Sequence, residues 1–251
     1  MKWRTMACIL LLLSMSVAMA SALDISDSSE HFKVSYTDPL ARPVNNDSLL
    51  DVLESAYSHV NGYFGTCPDH IEAIVIGDRD MDKVGKQVDS FFAWNKAMSA
   101  IILRQGTLKN KTLLPVIVSH EMTHLAINNI LGHKDPEEFH WLEEGICMVV
   151  SREPLDDADV SKYIVGHGFL NTSTIFGAIK SENCTVSKNG YMNSFSLVKY
   201  MVQRYGLDAV KHMLECPENS FDKAFQEYAG EDFGLFYDEW KANVIKTAPG
   251  R

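Results

Sequence analysis

The chain is 251 residues long, 46% hydrophobic and 10% aromatic, with 33 acidic against 23 basic side chains and a formal net charge of −10. This length and apolar fraction suffice for a sizeable core in one domain or two closely packed lobes, and no repeat or low-complexity tract interrupts them. The acidic balance argues against nucleic acid as a partner, because tracking a phosphate backbone calls for a basic face.

In chain order, Lys2 and Arg4 precede an apolar run from Ile9 to Leu13 that continues through Val17 and ends in Ala18-Met19-Ala20-Ser21-Ala22. This is the anatomy of a cleavable secretory signal, with cleavage after Ala20 or Ala22. The run is shorter than the ~20 residues of a spanning helix. The expectation is therefore an exported protein, secreted or periplasmic, whose mature chain has no stable membrane insertion. Cleavage leaves 21 basic and 33 acidic side chains, a net charge of −12, which reads as solubility and carries no information on substrate.

His31 to Thr37 alternates like a half-buried strand, Asp47 opens an amphipathic helix to about Phe64, and Gly65 to Pro68 turn the chain. Ile71 to Ile76 reads as a second strand, Asp78 to Asp89 as loop or short helix, and Ala97 to Leu103 as a further strand. A helix follows, with Thr112 as N-cap, Pro115 in its first turn and Gly132 as its stop. Beyond it the pattern predicts helices over Leu142–Ser151, Tyr191–Tyr205, Leu207–Leu214, Phe221–Tyr228 and Phe233–Ile245, with a loop-rich stretch from Glu153 to Lys188. The order implies an α+β fold: a signal segment 1–22, a lobe 23–132 with a small mixed sheet, and a helical lobe 133–251. The strand before the Thr112–Gly132 helix is expected to be an edge able to pair with an extended peptide.

That helix carries His120-Glu121-Met122-Thr123-His124. Residues four apart stand on one helical face, so both imidazoles can reach one ion about 2.0–2.1 Å away. Glu121, rotated by one residue, is free to take a proton from water activated by the metal. A catalytic zinc site keeps an open position and usually has three protein ligands. Ile127 and Ile130 stand where the metzincin pattern needs glycine and histidine, so that family is excluded. The next acidic pair, Glu143-Glu144 in Phe139-His-Trp-Leu-Glu-Glu-Gly-Ile-Cys147, offers a carboxylate to close a His₂Glu site. His133 and His140 read first as solvated loop residues and second as metal donors, His140 being the better rival to Glu144. Cys147, three residues after Glu144, reads first as a small buried thiol and second as a donor on the same face. Asn128, four residues after His124, is either an exposed amide or a support for that imidazole.

His-Glu-Met-Thr-His followed by Trp-Leu-Glu-Glu-Gly resembles the gluzincins, specifically the small secreted metallopeptidases of the peptidase MA type. The resemblance implies a zincin-like fold, zinc as cofactor, peptide or protein substrates, and Glu144 as third ligand, with nineteen residues between it and His124 and with Glu143 at the variable position. Similar proteins place a tyrosine or histidine downstream as oxyanion donor, a role that falls on Tyr191, read here at the start of a helix. The Gly-x-Met-Glu-Asn strand by which related aminopeptidases hold a free amine is absent, and Ala93 to Leu103, its nearest counterpart, has no carboxylate. The expected activity is thus zinc-dependent peptide hydrolysis. An inactive zinc- or peptide-binding module and a zinc hydrolase of non-peptide amides or esters are the alternatives.

Four cysteines follow the signal segment, and Cys184 with Cys216 is the expected disulfide because both fall beside loop-like stretches. Asn46, Asn110, Asn171 and Asn183 each begin an Asn-x-Ser/Thr triplet, the glycosylation acceptor pattern.

Overall fold

Strand-forming segments between Ser26 and Arg104 pair into a mixed sheet: β1 (Ser26–Ser28), β2 (Phe32–Tyr36), β3 (Ile71–Ile76), β4 (Ser90–Asn95) and β5 (Met98–Arg104), in spatial order β1-β2-β3-β5-β4. The computed structural model describes residues 26–38, 47–84, 89–95, 98–131, 136–216 and 220–249. The expected signal segment, Gly132 and His133 lie outside the described residues. By its backbone contacts the chain divides into a unit ending at Leu125 and another beginning at Ala126.

In the first unit β2, β3 and β5 run parallel, while β1 and β4 add antiparallel edges to β2 and β5. The central strands are apolar on both faces, as parallel strands covered on both sides must be, with Ala73, Val75 and Ala100 through Leu103 fully buried. The strand before the motif helix is therefore interior. The expected edge is instead β4, which turns back onto β5, and local periodicity gave no sign of it. One sheet face carries Ile74, Ile76, Ala100 and Ile102 against Met81 of α2 (Asp78–Val84).

Helix α1 (Asp47–Phe64) is tied to the start of β2. Glu54 accepts from the His31 amide at 2.9 Å and pairs with His31 Nδ1 at 2.7 Å, and Tyr57 stacks on the same imidazole at 3.6 Å. Burial pushes the Glu54 carboxyl up, but the hydrogen bonds and the imidazole charge outweigh it and hold the group below its ordinary value. A lowered folded value means that the stabilisation is complete above the ordinary glutamate pKa of about 4.3 and is lost as pH falls through the folded value. Glu54→Gln is accordingly expected to flatten the acid limb of a stability-against-pH curve below about pH 4.3 in urea unfolding.

The second unit is helical. It contains α4 (Pro136–Val150), α5 (Asp157–His167), α6 (Thr172–Ile179), α7 (Cys184–Tyr205), α8 (Leu207–Glu215), α9 (Phe221–Ala229) and α10 (Phe233–Thr247), the motif helix α3 (Leu113–Leu131) having begun in the first unit. Trp141 of α4 enters an aromatic core edge-on to Phe221 at 4.9 Å, and Phe225 lies 5.0 Å from Phe236. Such pairs add roughly 0.5–1.5 kcal/mol each beyond their buried area.

The stretch from Glu153 to Lys188 is mostly helix, contrary to expectation. Gly166, Gly168 and Gly177 break its apolar period, and its order comes from elsewhere. Asn193, fully buried, accepts from the Leu170 amide and donates to Gly168 O and Asn189 O, pinning the α5–α6 turn to α7. Three Asn-x-Ser/Thr triplets also have a structural explanation. Asn171 and Asn183 cap α6 and α7, and the Asn110 carboxamide accepts from the Thr112 and Leu113 amides at the head of α3, the capping role expected of Thr112.

No disulfide joins the described cysteines. Cys184 is exposed at the first residue of α7, whereas Cys216 is buried after α8 with its thiol against Glu227, so the expected pair is not formed. Burial pushes the Cys67 thiol up to about 12. Among the described residues no helix is long and apolar enough to cross a membrane.

Candidate metal centre

Helix α3 is apolar almost all round, which makes it an interior helix. Val118, Met122, Leu125, Ala126 and Ile127 are fully buried, and the polar groups of the motif are carried inside with them. His124 and Glu121 are 4% and 7% exposed. Isolated charge at such depth is costly, so the carboxylate needs a partner.

In the first unit the imidazoles of His120 and His124 meet at 64°, with their Nε2 atoms 3.2 Å apart. Two nitrogens at that separation, each about 2.05 Å from a common ion, subtend an angle of roughly 100°, close to tetrahedral. The pair therefore fits a zinc-sized cation. Strand β4 contacts the same helix through two side chains. Phe91 and Ala93 point into the α2 side of the sheet, so Ser90 and Phe92 face the other way. Ser90 Oγ donates to Glu121 Oε1 at 2.5 Å, and the Phe92 ring stacks on His124 at 4.5 Å and 16°. Neither residue was singled out from sequence. Nothing local marks them: Ser90-Phe-Phe-Ala-Trp94 does not alternate polar with apolar residues, and only its pairing with β5 sets which side chains face α3.

In the second unit α4 carries the acidic pair. It begins at Pro136, six residues before the expected Leu142, because Pro-Glu-Glu is a favourable opening for a helix. His140 is therefore helical and half-buried, not a solvated loop residue, with Nδ1 3.5 Å from Glu143 and Nε2 3.6 Å from Glu144. Both carboxylates are buried, at 4% and 7% exposure. Asn128 donates to Glu143 Oε1 at 3.1 Å, so its amide supports this carboxylate. Cys147, fully buried, lies one turn beyond Glu144.

Gly145 has a steric reason to be glycine. A Cβ there would stand 2.4 Å from Val198 Cγ2 and 2.8 Å from Ser194 O and Oγ, so α4 and α7 meet at this residue. Ser194 Oγ donates to Trp141 O at 2.5 Å across the same contact. Tyr191 shares the α7 face of Ser194 and Val198. It is half-buried and lies about two turns inside a helix that starts at Cys184, not at the helix start expected for it.

A family model of the Peptidase MA superfamily matches residues 107–246, from the turn before α3 to the last helix. The chain belongs to the Peptidase MA superfamily. No curated protein matches it. Membership of the superfamily suggests a metallopeptidase-like, peptidase-type hydrolase, and the matched segment contains His120, Glu121, His124, Glu144 and Tyr191. Strand β4 lies outside it.

Proposed function

We propose that the chain is an exported zinc-dependent metallopeptidase of the gluzincin type, with His120, His124 and Glu144 as zinc ligands and Glu121 as general base. The observation that carries the reading is the pair of Nε2 atoms 3.2 Å apart beside a buried glutamate, on one helix of a superfamily member. When bound, zinc supplies Lewis acidity, polarising a carbonyl and acidifying water. The Glu121 carboxylate takes the proton from the attacking water and passes it to the departing amine. Its Oε1 is held by Ser90, so Oε2 is the oxygen available for that transfer. Tyr191 donates a hydrogen bond to the oxyanion of the tetrahedral species. An extended peptide or protein substrate pairs by its main chain with the edge strand β4, whose inner face supports Glu121 and His124.

A second ligand set has its own support: His120, His124 and Cys147 offer donors that could hold a metal ion. In that version the thiolate replaces the Glu144 carboxylate. Cobalt substitution separates the two, since only a sulfur ligand gives an intense near-ultraviolet charge-transfer band.

The deciding experiment is metal analysis joined to peptide-library cleavage, before and after chelation and with zinc added back. Stoichiometric zinc, cleavage abolished by the chelator and restored by zinc, is the expected result. Zinc without hydrolysis of any peptide would make the chain a binding module, and cleavage confined to non-peptide amides or esters would change its substrate class. Peptide hydrolysis indifferent to chelation would end the metallopeptidase reading.

A further inference from the structure

We propose that strand β4 is a two-point positioning device, in which Ser90 sets the rotation of the Glu121 carboxylate and Phe92 sets the ring plane of His124. The inference rests on the metallopeptidase reading of α3. Its basis is that alternate residues on one face of a single strand address two different groups of the helix, one by hydrogen bonding at 2.5 Å and one by stacking at 4.5 Å.

Each contact restrains a torsion that the side chain alone leaves loose. The terminal torsions of glutamate and histidine are broad and roughly two-fold, so burial by itself fixes neither the carboxylate plane nor the imidazole plane. A hydroxyl donating to Oε1 makes the two oxygens of Glu121 inequivalent and reserves the other for the proton in transit. The stacked ring, tilted only 16° from the imidazole, opposes rotation of His124 and keeps its Nε2 directed at that of His120. Ligand orientation of this kind is commonly worth 10–100-fold in metal affinity or activity. The strand bonds to β5 along its whole length, with Ser90 opposite Leu103 and Phe92 opposite Ile101, so both side chains stand on a fixed base.

The two contacts should fail differently, and the full-length chain can be tested for this. Ser90→Ala, Ser90→Thr and Phe92→Leu are compared with the parent for zinc Kd by competition with a chromogenic chelator, for kcat and KM on a quenched fluorescent peptide, and for Tm. Ser90→Ala should lower kcat about tenfold or more while KM and zinc Kd stay within about twofold of the parent. Ser90→Thr, which keeps the hydroxyl, should recover most of the loss. Phe92→Leu keeps apolar bulk without a flat face, and should weaken zinc binding about tenfold or more. Parent-like kcat in Ser90→Ala, or parent-like zinc Kd in Phe92→Leu, would overturn the proposal while leaving the metallopeptidase reading standing. A parent chain that neither binds zinc nor cleaves peptide would remove that reading and the proposal with it.

Discussion

Glu121→Gln is expected to retain zinc and lose about 10²–10⁴-fold in kcat, the range typical of a missing general base. In activation free energy this is about 3–5 kcal/mol, at 1.36 kcal/mol for each factor of ten. The substitution isolates proton transfer because little else changes. Glutamine has the same shape, its side-chain oxygen can still accept from Ser90 at the position Glu121 Oε1 occupies, and the imidazoles that define the metal pair are untouched. A neutral amide at a site 7% exposed also relieves a buried charge, so Tm should hold or rise. Loss of turnover with full zinc and an unchanged Tm is thus a chemical defect. Unimpaired hydrolysis by the variant would remove Glu121 from the mechanism.

The parts of the fold legible in the sequence were those whose cause is local. The apolar run Ile71–Ile76, the amphipathic Asp47–Phe64 helix and the placement of His120, Glu121 and His124 on one helix follow from periodicity, and each has the predicted type. What escaped depends on partners distant in sequence. Strand order is such a property: β5 directly precedes the motif helix, yet β4 turns back and takes the edge. Ser90 and Phe92 were invisible as site residues for the same reason, since only the hairpin brings them to α3. Asn189-Gly190, just before Tyr191, has the letters of a helix breaker, yet α7 runs through it. Gly190 instead lets α7 approach α6, where a Cβ would stand 2.7 Å from the Ile179 amide nitrogen. Asn-x-Ser/Thr triplets read as acceptor sites because a capping asparagine followed by a hydroxyl residue uses the same letters as a glycosylation signal.

Gly145→Val is expected to destabilise the second unit by more than about 3 kcal/mol, and Gly145→Ala by about 2 kcal/mol, because overpacking a filled contact typically costs 1–3 kcal/mol and β-branching adds atoms. The obstruction includes the backbone oxygen of Ser194, 2.8 Å from the added Cβ, which cannot rotate away as a flexible side-chain tip can. Either α7 withdraws from α4, and the Ser194 to Trp141 hydrogen bond is lost, or α4 shifts and carries the Glu144 backbone with it. Alanine's better helix propensity returns at most about 1 kcal/mol and does not reverse the sign. Gly177 of α6 supplies the control: it has nothing within 4 Å of its would-be Cβ, so Gly177→Ala should stabilise by about 0.5–1 kcal/mol. Urea unfolding of the three variants measures the contrast. If Glu144 is a zinc ligand, the alanine variant at 145 should also bind zinc more weakly at temperatures where it is still folded, and the 177 variant should not. Equal stabilities for the alanine variants at 145 and 177 would show that the α4–α7 contact is loose, and Gly145 would then have no steric role in holding Glu144 in place.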